Sequence, residues 1–60
     1  MTVQEFIEKC TNETLEVVIF DEDAYEYLHT GDISEVDIDL CGDLLVREWE
    51  FTFDKLEITV

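Results

Sequence analysis

The stretch TLEVVIF, residues 14–20, alternates like a β-strand, and the rest of the predicted fold is built outward from it. Successive side chains of a strand point to opposite faces, so Leu15, Val17 and Ile19 are predicted to face a core. The polar turn DEDA, residues 21–24, leads into YEYLHT, residues 25–30. Two apolar runs joined by such a turn indicate an antiparallel hairpin, and Gly31 is predicted to end its second strand.

The segment TVQEFIEKC, residues 2–10, predicts a helix before this hairpin. Thr2 and Glu5 have the spacing of a capping box, in which each side chain accepts a hydrogen bond from a free backbone N–H at the helix start. The apolar side chains recur at the i, i+3, i+4 and i+7 positions of one helical face. These side chains are Val3, Phe6, Ile7 and Cys10.

The C-terminal part predicts a second hairpin. LLVREWEFTF, residues 44–53, is the longest alternating run, with Trp49 and Phe51 on one face and Glu48 and Glu50 on the other. After a turn at residues 54–55, LEITV is predicted to close the chain with Leu56, Ile58 and Val60 inward. The expected fold class is α+β, a single domain over residues 1–60. One N-terminal amphipathic helix packs on a small antiparallel sheet of about four strands in two hairpins.

The second face of the predicted sheet carries more apolar surface than a monomer needs. Tyr25, Tyr27 and His29 are predicted to share one face of their strand, and Val18 and Phe20 lie outward on the preceding strand. A homodimer formed through this sheet face is therefore one expectation.

Charge limits the classes of partner. Seventeen acids against three bases give a formal net charge of -14. Such a chain repels nucleic-acid phosphates and anionic membranes, so the expected partner is a basic protein, with no direct nucleic acid and no membrane. The 47% hydrophobic content indicates a folded domain rather than a disordered acidic tail. The N-terminus lacks the features of a secretion signal, which predicts a cytoplasmic protein with reduced cysteines.

The segment GDISEVDIDLCGD, residues 31–43, holds five acids and no base. Asp32 and Glu35 have capping-box spacing, so a short helical turn is predicted after Gly31. If the following residues are extended, Glu35, Asp37 and Asp39 line one face at intervals of ~7 Å. The hypothesis is that these three acids, with Asp32 and Asp43, form a partner-binding surface. Apolar residues would anchor the segment to the core, namely Ile33, Val36, Ile38 and Leu40. The alternative is that these acids only cap helices, occupy turns and keep the surface solvated.

Few residues offer metal binding or catalysis. Cys10, His29 and Cys41 are the soft ligands of the chain and, with one carboxylate, could complete a tetrahedral zinc site. The alternative for the cysteines is buried free thiols. DEDAYE, residues 21–26, lacks the glycine of an EF-hand calcium loop. With one histidine, one serine and no glycine-rich phosphate loop, the chain is not expected to be an enzyme.

Four stretches, MTVQEFIEKC, LEVVIFDED, EWEF and LEITV, resemble the small acidic proteins of phages and prophages of low-GC Gram-positive bacteria. Some small acidic phage proteins are anti-CRISPR proteins, which bind the RNA-guided nuclease of type II systems. The resemblance implies an inhibitor that occupies a nucleic-acid-binding surface of such a CRISPR nuclease in the host cell. The alternative is an accessory or structural phage protein without an inhibitory role, which zinc could also stabilise.

Overall fold

The computed structural model describes residues 1–10, 15–52 and 54–60. It confirms the α+β fold class, with a short N-terminal helix and a four-stranded sheet. The elements in chain order are α1 Val3–Glu8, β1 Glu16–Asp21, β2 Glu26–Asp32, a 3₁₀ helix Ile33–Glu35, α2 Ile38–Cys41, β3 Glu48–Thr52 and β4 Lys55–Thr59. Thr14, the first residue of one predicted strand, and Phe53, the last residue of another, lie outside the described residues.

The sheet is mixed, so the predicted all-antiparallel arrangement is wrong. Its strand order is β2-β1-β4-β3. Each hairpin is antiparallel, but β1 and β4 meet at the centre as a parallel pair. The crossover, defined as residues 33–47, carries the chain over one face of the sheet. It therefore delivers the second hairpin beside β1 and not beside β2.

Helix α1 begins as the sequence predicts. The hydroxyl of Thr2 accepts a hydrogen bond from the Glu5 backbone N–H at 3.2 Å, and the Glu5 carboxylate accepts one from the Thr2 N–H at 2.9 Å. The bond from the Thr2 N–H, together with one that the Thr2 hydroxyl donates at 3.1 Å, favours the charged carboxylate and holds the pKa of Glu5 below its ordinary value. Val3 is fully buried, whereas Phe6 and Ile7 are only partly covered.

The core lies on one face of the sheet, beneath α1 and the crossover. Alternate residues of β1 and β4 supply its centre, as the sequence predicts for Val17, Ile19, Leu56 and Ile58. The remaining buried members come from α1, the crossover and the residue after β4, and they are Val3, Ile33, Val36, Cys41 and Val60. All elements outside the sheet that contribute to this core therefore pack against the same face.

Two predictions for β2 are wrong. Gly31 does not end the strand but lies inside it, at φ 141°, a conformation that glycine adopts without a steric penalty. The β1–β2 register also shifts between Ile19 and Phe20, so that Tyr27 pairs with Phe20 while His29 pairs with Ile19. Because paired residues share a face, the shift sends Tyr27 and His29 to opposite faces.

The crossover contains the short helical turn predicted after Gly31, but it also forms a helix, α2, where an extended segment was predicted. A 3₁₀ helix follows Asp32, whose side chain makes no capping hydrogen bond, and α2 follows Asp37. The Asp37 carboxylate accepts a hydrogen bond from the Leu40 N–H at 3.2 Å, which stabilises a helix start in place of a strand. Glu35, Asp37 and Asp39 consequently do not form the predicted extended row.

Two further predictions fail in the crossover. Leu40 is 64% exposed and does not anchor the segment, although Ile33 and Val36 are buried as expected. The predicted strand over residues 44–53 begins only at Glu48 in the described residues. Upstream of it, Leu45 forms an isolated bridge with Thr2, because the chain bends to meet the start of α1.

Candidate protein-binding surface

The face of the sheet opposite the core is called the open sheet face. Val17, Ile19, Leu56 and Ile58 point into the core, so the residues between them in sequence point the other way. Strand register extends this assignment across all four strands. The open sheet face consists of Glu16, Val18, Phe20, Tyr27, Thr30, Asp32, Glu48, Glu50, Thr52, Lys55, Glu57 and Thr59.

An aromatic cluster occupies the β1–β2 side of the open sheet face. The ring of Phe20 lies 5.4 Å from that of Tyr25 and 5.0 Å from that of Tyr27, centroid to centroid and edge to face. Tyr25 and Tyr27 remain 83% and 66% exposed. Large exposed rings with polar tips are enriched in protein–protein interfaces, where they contribute contact area together with a hydrogen-bonding group.

Carboxylates occupy the other side of the open sheet face. Glu50 and Glu57 are direct cross-strand partners on β3 and β4, and Glu48 is the next outward residue of β3. Like charges placed directly opposite each other destabilise a sheet. With Val18, Phe20 and Tyr27, these three acids line a shallow concavity of about 620 Å³. The surface is therefore both negative and partly apolar.

Bases do not neutralise these carboxylates in the described ranges. Arg47 lies at the rim but pairs with the β1–β2 turn, at 2.8 Å from Asp23 and 3.5 Å from Glu22. Lys55 lies on the open sheet face, where its cross-strand partners are Glu16 and Thr52. The acids on β3 and β4 are consequently available to a basic partner.

The structure separates the acids that the sequence analysis grouped into one binding surface. Asp32 lies on β2 opposite Glu16, at the margin of the open sheet face. Glu35, Asp37, Asp39 and Asp43 are exposed residues of the crossover, which packs on the core side of the sheet. They remain a predicted binding surface on a different side of the molecule from the acids of β3 and β4.

The predicted zinc ligands are not brought together. Cys41 is buried in the core, and its thiol donates to the Asp37 carbonyl oxygen at 3.2 Å. Burial raises the pKa values of both the Cys41 and the Cys10 thiols. The His29 ring instead lies 3.2 Å from the Asp32 carbonyl oxygen. Within residues 1–10, 15–52 and 54–60, no group of three or more metal-ligating side chains is assembled.

Sequence reasoning missed a second surface, called here the β3 groove, between α1 and the sheet edge. Trp49 and Phe51 were predicted to share one face of their strand, and the strand register places that face on the core side of the sheet, but the two residues are 55% and 56% exposed. Helix α1 has six residues, too few to cover the edge strand completely. The groove has a volume of about 450 Å³ and is lined by Met1, Phe6, Lys9, Cys10, Leu15, Trp49 and Phe51. The sequence did contain a signal for this groove: the apolar face of the predicted helix is short, and the strand that it has to cover carries two large aromatic residues.

Neither helix in the described part of the chain has the length and apolar composition that spanning a bilayer requires. Comparison of the chain with protein-family models, with curated proteins and with solved structures finds no match.

Proposed function

We propose that this chain is a non-enzymatic inhibitor that binds a basic, nucleic-acid-binding surface of another protein and keeps the nucleic acid from it. The observation that carries the proposal is the open sheet face, where Glu48, Glu50 and Glu57 lie beside Phe20 and Tyr27. Two of these carboxylates oppose each other at a cost in stability, which favours a role in binding over one in folding.

Charge and apolar area have separate tasks in this proposal. A net charge of -14 steers the protein towards positive surfaces and raises the association rate, an effect that salt weakens. Exposed ion pairs contribute little affinity individually, so the rings of Phe20, Tyr25 and Tyr27 supply the lasting contacts. The carboxylates take the positions that phosphates occupy on the partner.

The partner class comes from the resemblance to phage proteins. RNA-guided nucleases of type II systems hold their RNA–DNA duplex and displaced strand in positively charged channels. A compact acidic domain entering such a channel in the host cytoplasm would compete with the nucleic acid. An accessory or structural phage protein remains the alternative, and recovery of virion components in a pull-down from host lysate would favour it.

The test compares two triple variants with equal changes in charge. Glu48→Gln, Glu50→Gln and Glu57→Gln remove three of the five acids of the open sheet face. Glu35→Gln, Asp39→Asn and Asp43→Asn remove three of the four acids of the crossover and leave the helix cap at Asp37 intact. Each protein competes with labelled target DNA for a guide-loaded type II nuclease at low and at moderate salt.

The wild-type protein is expected to displace the DNA, and the open-face variant to need about tenfold more protein, since three exposed ion pairs are lost. The crossover variant is expected to retain nearly full competition. Loss in the crossover variant with none in the open-face variant would move the site to the sequence-predicted acids. Failure of the wild-type protein to bind the nuclease or any other basic nucleic-acid-binding protein would refute the proposed function.

A further inference from the structure

The edge strand β3 presents a different chemistry on each side. It is paired with β4 alone among the described strands. Glu48 and Glu50 point to the open sheet face, whereas Trp49 and Phe51 point into the β3 groove. Proteins ordinarily protect an edge strand with charges, a proline or a covering element. Glu48 and Glu50 place charges on one side of this edge strand, yet the two large rings on its other side stay more than half exposed.

The rings form a continuous apolar wall. Phe6 of α1 lies 5.5 Å from Trp49, and Trp49 lies 6.0 Å from Phe51, in tilted and edge-to-face arrangements. Lys9 lies on the same side, within the lining of the groove. A basic side chain entering the groove would be repelled by Lys9, but an apolar one would cover the rings.

The residues just before β3 are already paired with backbone on the outer side of the sheet. The Val46 N–H donates to the Met1 carbonyl oxygen at 2.9 Å, and Thr2 bridges Leu45 in antiparallel fashion. The neighbouring Arg47 N–H donates to Thr59 at the end of β4. The segment entering β3 is thus hydrogen-bonded on both sides, whereas β3 itself pairs with β4 alone among the described strands.

We propose that the outer edge of β3 pairs with an extended segment of the partner in which apolar residues alternate with lysine or arginine. This inference rests on the proposed function and specifies what the basic partner presents. Strand addition supplies main-chain hydrogen bonds, and side chains that alternate between two faces supply specificity. Apolar side chains cover Trp49 and Phe51, and basic side chains reach Glu48 and Glu50 on the other face.

Charge selects this occupant over a second copy of the chain. Two β3 edges brought together would place Glu48 and Glu50 of one copy against the same residues of the other. Both copies would also carry a net charge of -14. Like charges directly opposite across strands are destabilising, whereas lysine or arginine at those positions is stabilising.

The fluorescence of Trp49, the single tryptophan of the chain, reports directly on the β3 groove. The probe is a synthetic peptide of alternating lysine and valine, matched in length to β3, titrated into the full chain. Its control has the same composition with the order scrambled. The alternating peptide is expected to shift Trp49 emission saturably and to bind about tenfold more tightly than the scrambled one, because only it satisfies both faces. Equal binding of the two peptides would overturn the inference.

Main-chain pairing is tested with two N-methylated versions of the alternating peptide, one methylated at every lysine and the other at every valine. In a paired strand only alternate N–H groups face the edge, so one version should lose binding and the other should keep it. Equal behaviour of the two versions would exclude strand addition.

Two variants of the protein locate the binding position. Phe51→Lys places a base in the β3 groove and is expected to weaken peptide binding. Leu40→Lys makes the same charge change at another apolar residue that is more than half exposed, on α2, and should bind normally. Equal weakening in both would show a general charge effect and overturn the site. Retained competition with nuclease-bound DNA alongside failed peptide selectivity would reject this inference while leaving the proposed function standing.

Discussion

Replacing Glu50 with glutamine should make the protein more stable and a poorer binder. Glu50 and Glu57 are direct cross-strand partners, and both are exposed on the open sheet face. The Glu57 carboxylate also accepts a hydrogen bond from the Thr52 hydroxyl at 3.5 Å. Changing Glu50 therefore removes one of the opposed charges without disturbing that contact, and glutamine keeps the shape of the side chain.

The magnitude follows from the spacing of opposed side chains. Cβ atoms of cross-strand partners lie about 5 Å apart. At that separation two charges in water repel by about 0.8 kcal/mol. Physiological salt, with a screening length near 8 Å, reduces the repulsion to about 0.4 kcal/mol. For a chain of this size the melting temperature should rise by about 3–6 °C at low salt and by roughly half as much at moderate salt.

The assay is thermal unfolding of wild type, Glu50→Gln and Glu48→Gln at both salt concentrations. Glu48 is an exposed glutamate on the same face and the same strand, but its cross-strand partner on β4 is the neutral Thr59. Both variants relieve the overall negative charge equally, so the difference between them isolates the local opposition. Only Glu50→Gln should show the larger gain in melting temperature, and it should also compete less well with nuclease-bound DNA.

An equal gain in melting temperature for the two variants would show that the opposition of Glu50 and Glu57 contributes nothing specific to stability, contrary to the prediction. A gain in stability without any loss of competition would separate the stability argument from binding. It would show that these opposed carboxylates do not contact the partner.

Two further predictions concern the crossover. Gly42→Ala should lower the free energy of unfolding by about 1–3 kcal/mol in urea denaturation, because an added Cβ would lie 2.5 Å from the Ile38 carbonyl oxygen; Ser34→Ala, at an exposed site, is the control. Burial raises the pKa of the Cys41 thiol, because the folded state disfavours the thiolate. The free energy of unfolding therefore keeps its full value below the pH at which an ordinary thiol ionises, and it falls as pH rises from there through the raised pKa. Urea midpoints from neutral to alkaline pH should fall more steeply for wild type than for Cys41→Ala, and parallel curves would contradict the assignment.

Local signals in the sequence predicted most of the secondary structure. The capping box of Thr2 and Glu5 and the alternation around Val17 and Leu56 each depend on neighbours within a few residues, and all of them appear in the structure. Strand order depends on how the crossover packs over the sheet. Nothing within either hairpin encodes that path, so the parallel β1–β4 pair could not be predicted.

The errors near the candidate sites have local causes as well. Residues 36–40 alternate like a strand, but a four-residue helix is too short to show a helical period, and the Asp37 cap decides the outcome. The bulge between Ile19 and Phe20 reverses the faces of β2 without a mark in the sequence. The exposure of Trp49 depends on where α1 ends relative to β3, which is a matter of packing.

The central position of β4 governs when this chain can fold during synthesis. The ribosome releases α1 and the β1–β2 hairpin first, yet an isolated hairpin is marginal in water. The side chains of Val17 and Ile19 remain in contact with water until Leu56 and Ile58 leave the exit tunnel and β4 pairs with β1. The domain therefore gains its stability in one late step. A premature stop codon before Lys55 would remove Leu56, Ile58 and Val60 from the core and leave β1 without its parallel partner. We expect such a chain to be degraded rather than to keep partial activity.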